Sequence, residues 1–178
     1  MCEREEEYLN DIWSLYFHAS ADPNWTLSSY VRLTDISTVN EFLLSAKGLE
    51  DKVQDNMFFL MREGIYPCWD DPNNMYGACL CLKFAKQDVV KAWKYMGSRV
   101  LGETVMKERS ETLVVNGISI SPKKNYSILK IWLKDVGHSS TDHYIVPSWY
   151  NGEVIFKSNL ENIQANTQRL MTKVDVEV

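Results

Sequence analysis

Residues 77–84, Gly-Ala-Cys-Leu-Cys-Leu-Lys-Phe, place Ala78, Leu80, Leu82 and Phe84 on one side of an extended chain and Cys79, Cys81 and Lys83 on the other. This two-residue period, met in one short run after another, constrains the fold more than any other feature. A strand of this kind buries one face and needs partners along its edges. Ile12, Trp13, Leu15, Tyr16 and Phe17 read as a buried strand, and residues 29–36, 56–62, 111–121, 127–133 and 153–157 read as further strands. Pro122-Lys123-Lys124-Asn125 is the turn of a hairpin, and Asn116-Gly117 marks a kink in its first strand. Residues 137–142 read as polar loop, and 143–150 fit either strand or loop.

Two stretches follow a helical period instead. Thr38 with Glu41 three residues on is a capping-box signature; Val39, Phe42, Leu43 and Ala46 form the stripe behind it, and Gly48 ends it. Residues 87–101 cluster Val89, Val90, Trp93, Met96, Val100 and Leu101 at spacings of three and four, with Gly97 weakening the middle. The pattern predicts an α+β fold: a single curved, mostly antiparallel β-sheet with helices packed on the convex face and a concave face open to solvent. Residues 1–178 read as one domain, with 1–8 as a flexible arm and 162–178 as a polar, mobile tail.

Several function classes fall away at this stage. A net charge of −5 disfavours a duplex nucleic-acid binder but leaves room for a local basic cluster that grips a few phosphates. The four Cys, at 2, 68, 79 and 81, form no CxxC pair and meet no His ladder, so no metal site is expected, and a reduced, cytoplasmic setting is. No apolar run reaches the length of a membrane span, and the acidic first residues carry no signal peptide. A GxSxG elbow, a Walker loop and a GxGxxG motif are all missing, and His18, His138 and His143 are scattered. The chain therefore reads as a non-enzyme without catalytic residues or cofactor. A hydrolase built on Asp70 and Asp71 is the weakest alternative, since adjacent acidic residues in a loop are usually solvated.

The positive signal is aromatic. Gly64-Ile-Tyr-Pro-Cys-Trp-Asp-Asp, ending at Asp71, is loop material that sets Trp69 beside carboxylates, and a second loop delivers Trp25. Either indole alone is more simply read as folding back on the core. Together they have the makings of a sandwich for a planar ring, with about 0.5–2 kcal/mol per contact if the ring is cationic. A carboxylate such as Asp70 accepts only, so it selects a ring edge with two adjacent N–H donors, which guanine offers. N7-methylation supplies the positive charge, and a basic turn takes the phosphates. The constellation describes a 7-methylguanosine 5′ cap.

The order of Trp13-Ser-Leu-Tyr-Phe, Trp25, Val39-Asn-Glu-Phe, Gly64-Ile-Tyr-Pro-Cys-Trp69-Asp70, Trp93, Gly102-Glu103 and Ile131-Trp132 resembles the eukaryotic translation initiation factor 4E family of messenger-RNA cap-binding proteins. The resemblance runs from about Tyr8 to Trp132 and more weakly to Phe156. It implies Trp25 and Trp69 as the sandwiching indoles and Asp70, where the family commonly has Glu, as the guanine-edge acceptor. It further implies the Trp69 N–H at the guanine carbonyl, Trp132 at the N7-methyl group, and Lys123 or Lys124 at the phosphates, with Lys130 as a substitute. On the convex side it implies a surface around Tyr8, Leu9, Val39, Leu43, Trp93, Lys94 and Tyr95 for a helix of a scaffold initiation factor or a repressor. For Val39 and Leu43, plain core packing is an equal alternative. The chain departs from the family pattern at Cys79, where an Arg supports the site, at Ile128, where a Lys faces the phosphates, and at Leu43, where the partner-binding Trp stands. The expected function is cap binding in translation initiation, as a monomer within a heteromeric complex with capped mRNA and no membrane partner. The alternatives are a cap-binding repressor or storage form, and an interaction module that kept the fold and lost the cap.

Overall fold

The computed structural model describes residues 6–174, with side chains through residue 168. Seven strands build one antiparallel, curved sheet: β1 (Tyr8–His18), β2 (Val31–Thr38), β3 (Met57–Arg62), β4 (Ala78–Ala85), β5 (Val115–Pro122), β6 (Tyr126–Leu133) and β7 (Val154–Ser158). Their order across the sheet is β2-β1-β3-β5-β6-β4-β7. Alternation decides what each strand gives to either face. Trp13 and Leu15 of β1, Phe58 and Leu60 of β3, Leu80 and Leu82 of β4, Ile118 and Ile120 of β5, and Leu129 and Ile131 of β6 all point to the convex side.

Two helices cover that side, α1 (Val39–Gly48) and α2 (Val89–Leu101). The expected capping box opens α1: Thr38 Oγ1 accepts from the Glu41 N–H at 3.2 Å, and Glu41 Oε2 accepts from the Thr38 N–H at 3.0 Å. Phe42 and Ala46 face inward from α1, and Ala92, Trp93, Met96 and Val100 from α2. Gly97 does more than weaken its helix, since a Cβ there would lie 3.0 Å from the Phe42 ring, so the missing side chain lets α1 and α2 approach. Truncating one of the large buried rings costs about 3–5 kcal/mol, so this core carries most of the fold.

Arg62, at the end of β3, ties distant segments together. Its guanidinium lies 4.7 Å over the Trp13 ring and donates to Asp11 at 2.7 Å, to Glu103 at 2.8 Å and to the Val115 carbonyl at 2.8 Å. Glu103 holds a left-handed backbone, φ 52°, to reach it.

Four expectations change. The concave face is not simply open: Tyr16, Met57, Phe59, Met61, Cys79, Cys81 and Trp132 form a second buried cluster, because the loops above it fold down and Tyr30, Ile65, Trp69 and Ile128 pack on it. The stretch 111–121 is a 3-10 turn through Val114 before β5 begins. The polar tail from Asn162 lies in a third helix, α3 (Asn159–Val174), and residues 175–178 are outside the described residues. Of the arm at 1–8, residues 1–5 are likewise outside, and Tyr8 already pairs with Thr38 as the first residue of β1. Among the described residues, no helix is long and apolar enough to cross a membrane.

Candidate cap-binding site

The loop from Gly64 to Gly77 is held by its own polar side chains. Gly64 supplies the left-handed turn at φ 79° that starts it. The Asp71 carboxylate accepts from the Tyr66 N–H at 3.1 Å, the Asn73 N–H at 2.8 Å and Asn73 Nδ2 at 3.0 Å. Asn74, wholly buried, donates to the carbonyls of Tyr66 and Cys68 at 2.9 Å each. The kink expected at Asn116-Gly117 is a break in the β5–β6 register, and Asn116 Nδ2 there reaches the Asn73 carbonyl at 2.8 Å and Asn74 Oδ1 at 3.0 Å. Asn159, at the start of α3, donates to the Asn74 carbonyl at 2.8 Å. The bulge, the loop and the third helix thus lock one another. With Asp71 buried and its oxygens occupied inside the loop, the two-carboxylate hydrolase loses its second acid.

That scaffold presents Trp69, half-buried, and Asp70, exposed. Lys130 of β6 sets its ammonium 5.5 Å over the Trp69 ring. Burial first, and then the Asp70 carboxylate beside it, push the Cys68 thiol up to about 12, so this cysteine is a packed thiol and not a nucleophile. Trp132, which the resemblance sets at the N7-methyl group, is enclosed. It is 2% exposed, and its indole N–H donates to Ser119 Oγ at 2.9 Å, so it forms the floor beneath Trp69.

Trp25 comes from the opposite side and is 55% exposed. Its ring stacks on the imidazole of His18 with centroids 4.3 Å apart and planes within 5° of parallel. His18 is itself wholly buried, and its Nε2 lies 2.7 Å from the Asn24 carbonyl, which fixes the residue just before Trp25. Tyr30 continues the row of rings, 5.1 Å from His18 and 5.5 Å from Phe59, which in turn lies 6.5 Å from Trp132. The Tyr30 hydroxyl is pushed up by burial, with the neighbouring Cys68 and Asp70 adding to the rise. Tyr30 therefore joins the two loops, and the two indoles flank one aromatic floor with separate immediate neighbours.

The basic residues are spread along the same face. Lys130 and Lys157 both stand close enough to Cys81 to oppose the rise that burial gives its thiol. Lys123 and Lys124 are exposed in the β5–β6 turn, which closes through the Lys123 N–H and the Tyr126 carbonyl at 2.8 Å. Cys79, in place of the supporting Arg, is fully buried, with its thiol 3.4 Å from Asn159 Oδ1.

On the convex side, Phe42, Leu43, Ala46, Lys47, Glu50, Lys94, Tyr95 and Ser98 line a groove of about 430 Å³ between α1 and α2. Leu43 is 58% exposed, which removes the core-packing alternative for that residue. Trp93 corrects the expected surface: it is 1% exposed and packs inward on the sheet, because its place on the α2 stripe faces the core. Tyr8 is exposed, while Leu9 and Val39 are half-buried beside it.

The family model for eukaryotic initiation factor 4E matches residues 8–169. The chain belongs to that family. Proteins of the eukaryotic initiation factor 4E family bind the mRNA cap and are not enzymes. Similar curated proteins include an initiation factor 4E homolog of Acanthamoeba polyphaga mimivirus, 31% identical over 64% of this chain and 50% of the viral protein. The initiation factor 4E of Candida albicans is 29% identical over 74% of this chain and 66% of the fungal one. The chain thus spans about half to two thirds of the length of these relatives. Among solved structures, a schistosome eIF4E complexed with m7GpppG and 4E-BP aligns with a TM-score of 0.68 at 20% identity, covering 76% of each chain. A complex of C. elegans eIF4E-3 with the 4E-binding protein Mextli aligns at 0.72 and 16% identity, covering 88% of this chain and 96% of that one. These structures share the fold of the initiation factor 4E family member described above.

His18, Tyr30, Asn74 and Asn116 did not emerge from sequence reasoning as site residues. His18 was within reach of it, since the period that puts Tyr16 on the concave face puts His18 there too. For the two asparagines the sequence carries no such signal, because their partners, backbone carbonyls and one another, are brought near only by the folded loop.

Proposed function

We propose that this chain binds the 7-methylguanosine 5′ cap of messenger RNA, stacking the base between Trp25 and Trp69, and acts in translation initiation. The observation that carries the reading is the state of Trp25: one face already lies on His18 and the ring is 55% exposed, so the opposite face is offered to a ligand by an indole that is held in place. Preorganisation of this kind lowers the ordering cost of binding. Trp69 supports it from the other side, since Lys130 already occupies its neighbourhood as a cation and a methylated guanine carries the same sign. Asp70 is exposed beside it and accepts hydrogen bonds from the N1 and N2 edge. Trp132 lines the floor near the N7-methyl group, and Lys130 with Lys123 or Lys124 takes the phosphates. The solved relatives include family members bound to m7GpppA and m7GpppG, which agrees with this assignment.

The partner of the convex face is a helix of a scaffold initiation factor or of a repressor, laid over Leu43 and Tyr95 in the groove between α1 and α2. Solved family members are held by 4E-BP and by Mextli.

The test is a Trp-fluorescence titration with 7-methyl-GTP beside unmethylated GTP. Strong quenching by the methylated ligand at concentrations where GTP does little is the expected result. Equal or absent responses remove the reading and leave a protein-interaction module with the same fold.

A further inference from the structure

At the far end of the concave face from the indoles, Lys83, Ala85, Lys124, Asn125 and Tyr126 line an open depression of about 480 Å³. Its parts sit on regular elements. Tyr126 opens β6 opposite Ala85 of β4, and Lys83 pairs with Ile128 one step along. The main-chain N–H of Lys83 donates to the Tyr150 hydroxyl at 3.1 Å, so the strand is pinned there. The Lys83 ammonium lies 4.2 Å from the centre of the Tyr126 ring. Neither Lys83 nor Lys124 has an ion pair among the described residues, and both are exposed.

Alternation along β6 places Tyr126, Ile128, Lys130 and Trp132 on one side, and along β4 places Cys79, Cys81 and Lys83 on that same side. The depression therefore continues the row that begins at Trp132 and Lys130, about 13 Å beyond Lys130 at roughly 3.3 Å per residue. Ile128, the residue between them, offers no charge, so the row reads as phosphate grip, apolar step, then a ring with the Lys83 ammonium over it and Lys124 in the same depression. Aromatic faces for stacking and ammonium groups for phosphate are the parts that hold a nucleotide of a single strand without reading its sequence, and here the ring carries its cation over one face until a base takes that place.

We propose that Lys83, Tyr126 and Lys124 form a subsite for the RNA nucleotides that follow the cap: one base stacks on Tyr126 as the Lys83 ammonium moves from the ring to an adjoining phosphate, Lys124 meets the next, and the cap phosphates are left to Lys130 and Lys123. The proposal rests on the cap reading above, which sets the direction of the strand from Trp69 past Lys130 toward the β5–β6 turn. A chain with net charge −5 that keeps unpaired lysines along one line of its concave face concentrates what attraction it has for phosphate on that line.

The experiment compares dissociation constants for 7-methyl-GTP and for a capped RNA tetranucleotide, in the wild type, in Tyr126→Ala, in Tyr126→Leu and in Lys83→Gln. The Leu variant keeps bulk at the strand end, so a folding defect in the Ala variant does not decide the outcome. In the wild type the tetranucleotide binds more tightly than 7-methyl-GTP, and the advantage shrinks as salt rises. Both Tyr126 variants lose about fivefold or more of that advantage, as loss of a stacked base does, while their 7-methyl-GTP constants match the wild type. Lys83→Gln lowers the salt dependence. If the wild type binds both ligands equally, or the variants keep the full advantage, the subsite is refuted and the cap reading stands. If 7-methyl-GTP does not bind the wild type at all, the cap reading fails and the subsite goes with it.

Discussion

At the scale of single residues, the site separates groups that touch a ligand from groups that hold them. Trp25 belongs to the first kind. Trp25→Ala is expected to weaken 7-methyl-GTP binding by about 1–3 kcal/mol, the worth of one stacked base, while the melting temperature moves little, since so exposed a ring contributes to stability mainly through its stack on His18, about 1 kcal/mol. Fluorescence titration and a thermal melt on the same sample check both halves, and a large drop in melting temperature would make Trp25 a structural residue. Asn74 belongs to the second kind. Asn74→Ala removes the amide shared by the Tyr66 and Cys68 carbonyls and Asn116, each of which keeps one other hydrogen bond, so the loss is about 0.5–1.5 kcal/mol per bond. Its expected signature is a lower melting temperature together with weaker cap binding. Retained affinity in a destabilised Asn74→Ala protein would show that the loop forms its site without that anchor.

At the scale of elements, the capping box of α1 gives a pH-dependent prediction. The Ser37 backbone N–H first, with the Thr38 N–H and the Ser37 hydroxyl, holds the Glu41 carboxyl below its ordinary value. A carboxyl lowered on folding stabilises the native chain above its ordinary, unfolded value, and that contribution is lost as pH falls through the depressed one. Glu41→Gln should therefore lower the melting temperature at pH 7 and bring the variant and wild type together at strongly acid pH. A gap that stays constant over the whole range would place the effect in geometry and not in charge. This helix was legible because its cap is local: Thr38 and Glu41 lie three residues apart, and the box follows from the spacing. The strand faces were legible for the same reason, each set by the alternation of its own residues. The second cluster on the concave face was not, because that face reads as open until the Trp69 loop, anchored through Asn116 and Asn159 from far along the chain, is known to fold over it. Trp93 misled in the opposite sense. Its place on the stripe with Val89, Met96 and Val100 already turns the ring toward the core, and it was the family resemblance that set it on the surface.

At the scale of the whole molecule, the sheet separates two surfaces that share no side chains. Trp69, Asp70 and Trp25 belong to the loops over the concave face, and Leu43 and Tyr95 line the groove on the helices of the other. Between them lies the core of Trp13, Phe58, Leu60, Ile118 and Met96, rigid and close-packed. Changes at separated sites without shared partners add to within about 0.3–0.5 kcal/mol. Leu43→Glu, made at a residue 58% exposed, should leave the fold and 7-methyl-GTP binding as in the wild type and abolish capture of a partner helix. Trp69→Ala should do the reverse. In the double variant the two losses should simply add, which titration of cap analogue with and without saturating partner peptide measures directly. A partner that tightens cap binding in the wild type by tenfold or more would break that additivity. It would then require the α1–α2 layer and the Trp69 loop to move as one body, and the route for it is already visible: Arg62 joins β3 to Glu103 just after α2 and to the Val115 carbonyl, next to the bulge whose Asn116 holds the loop. In that event Arg62→Met, which cuts this link, would lower the coupling while each ligand alone still bound.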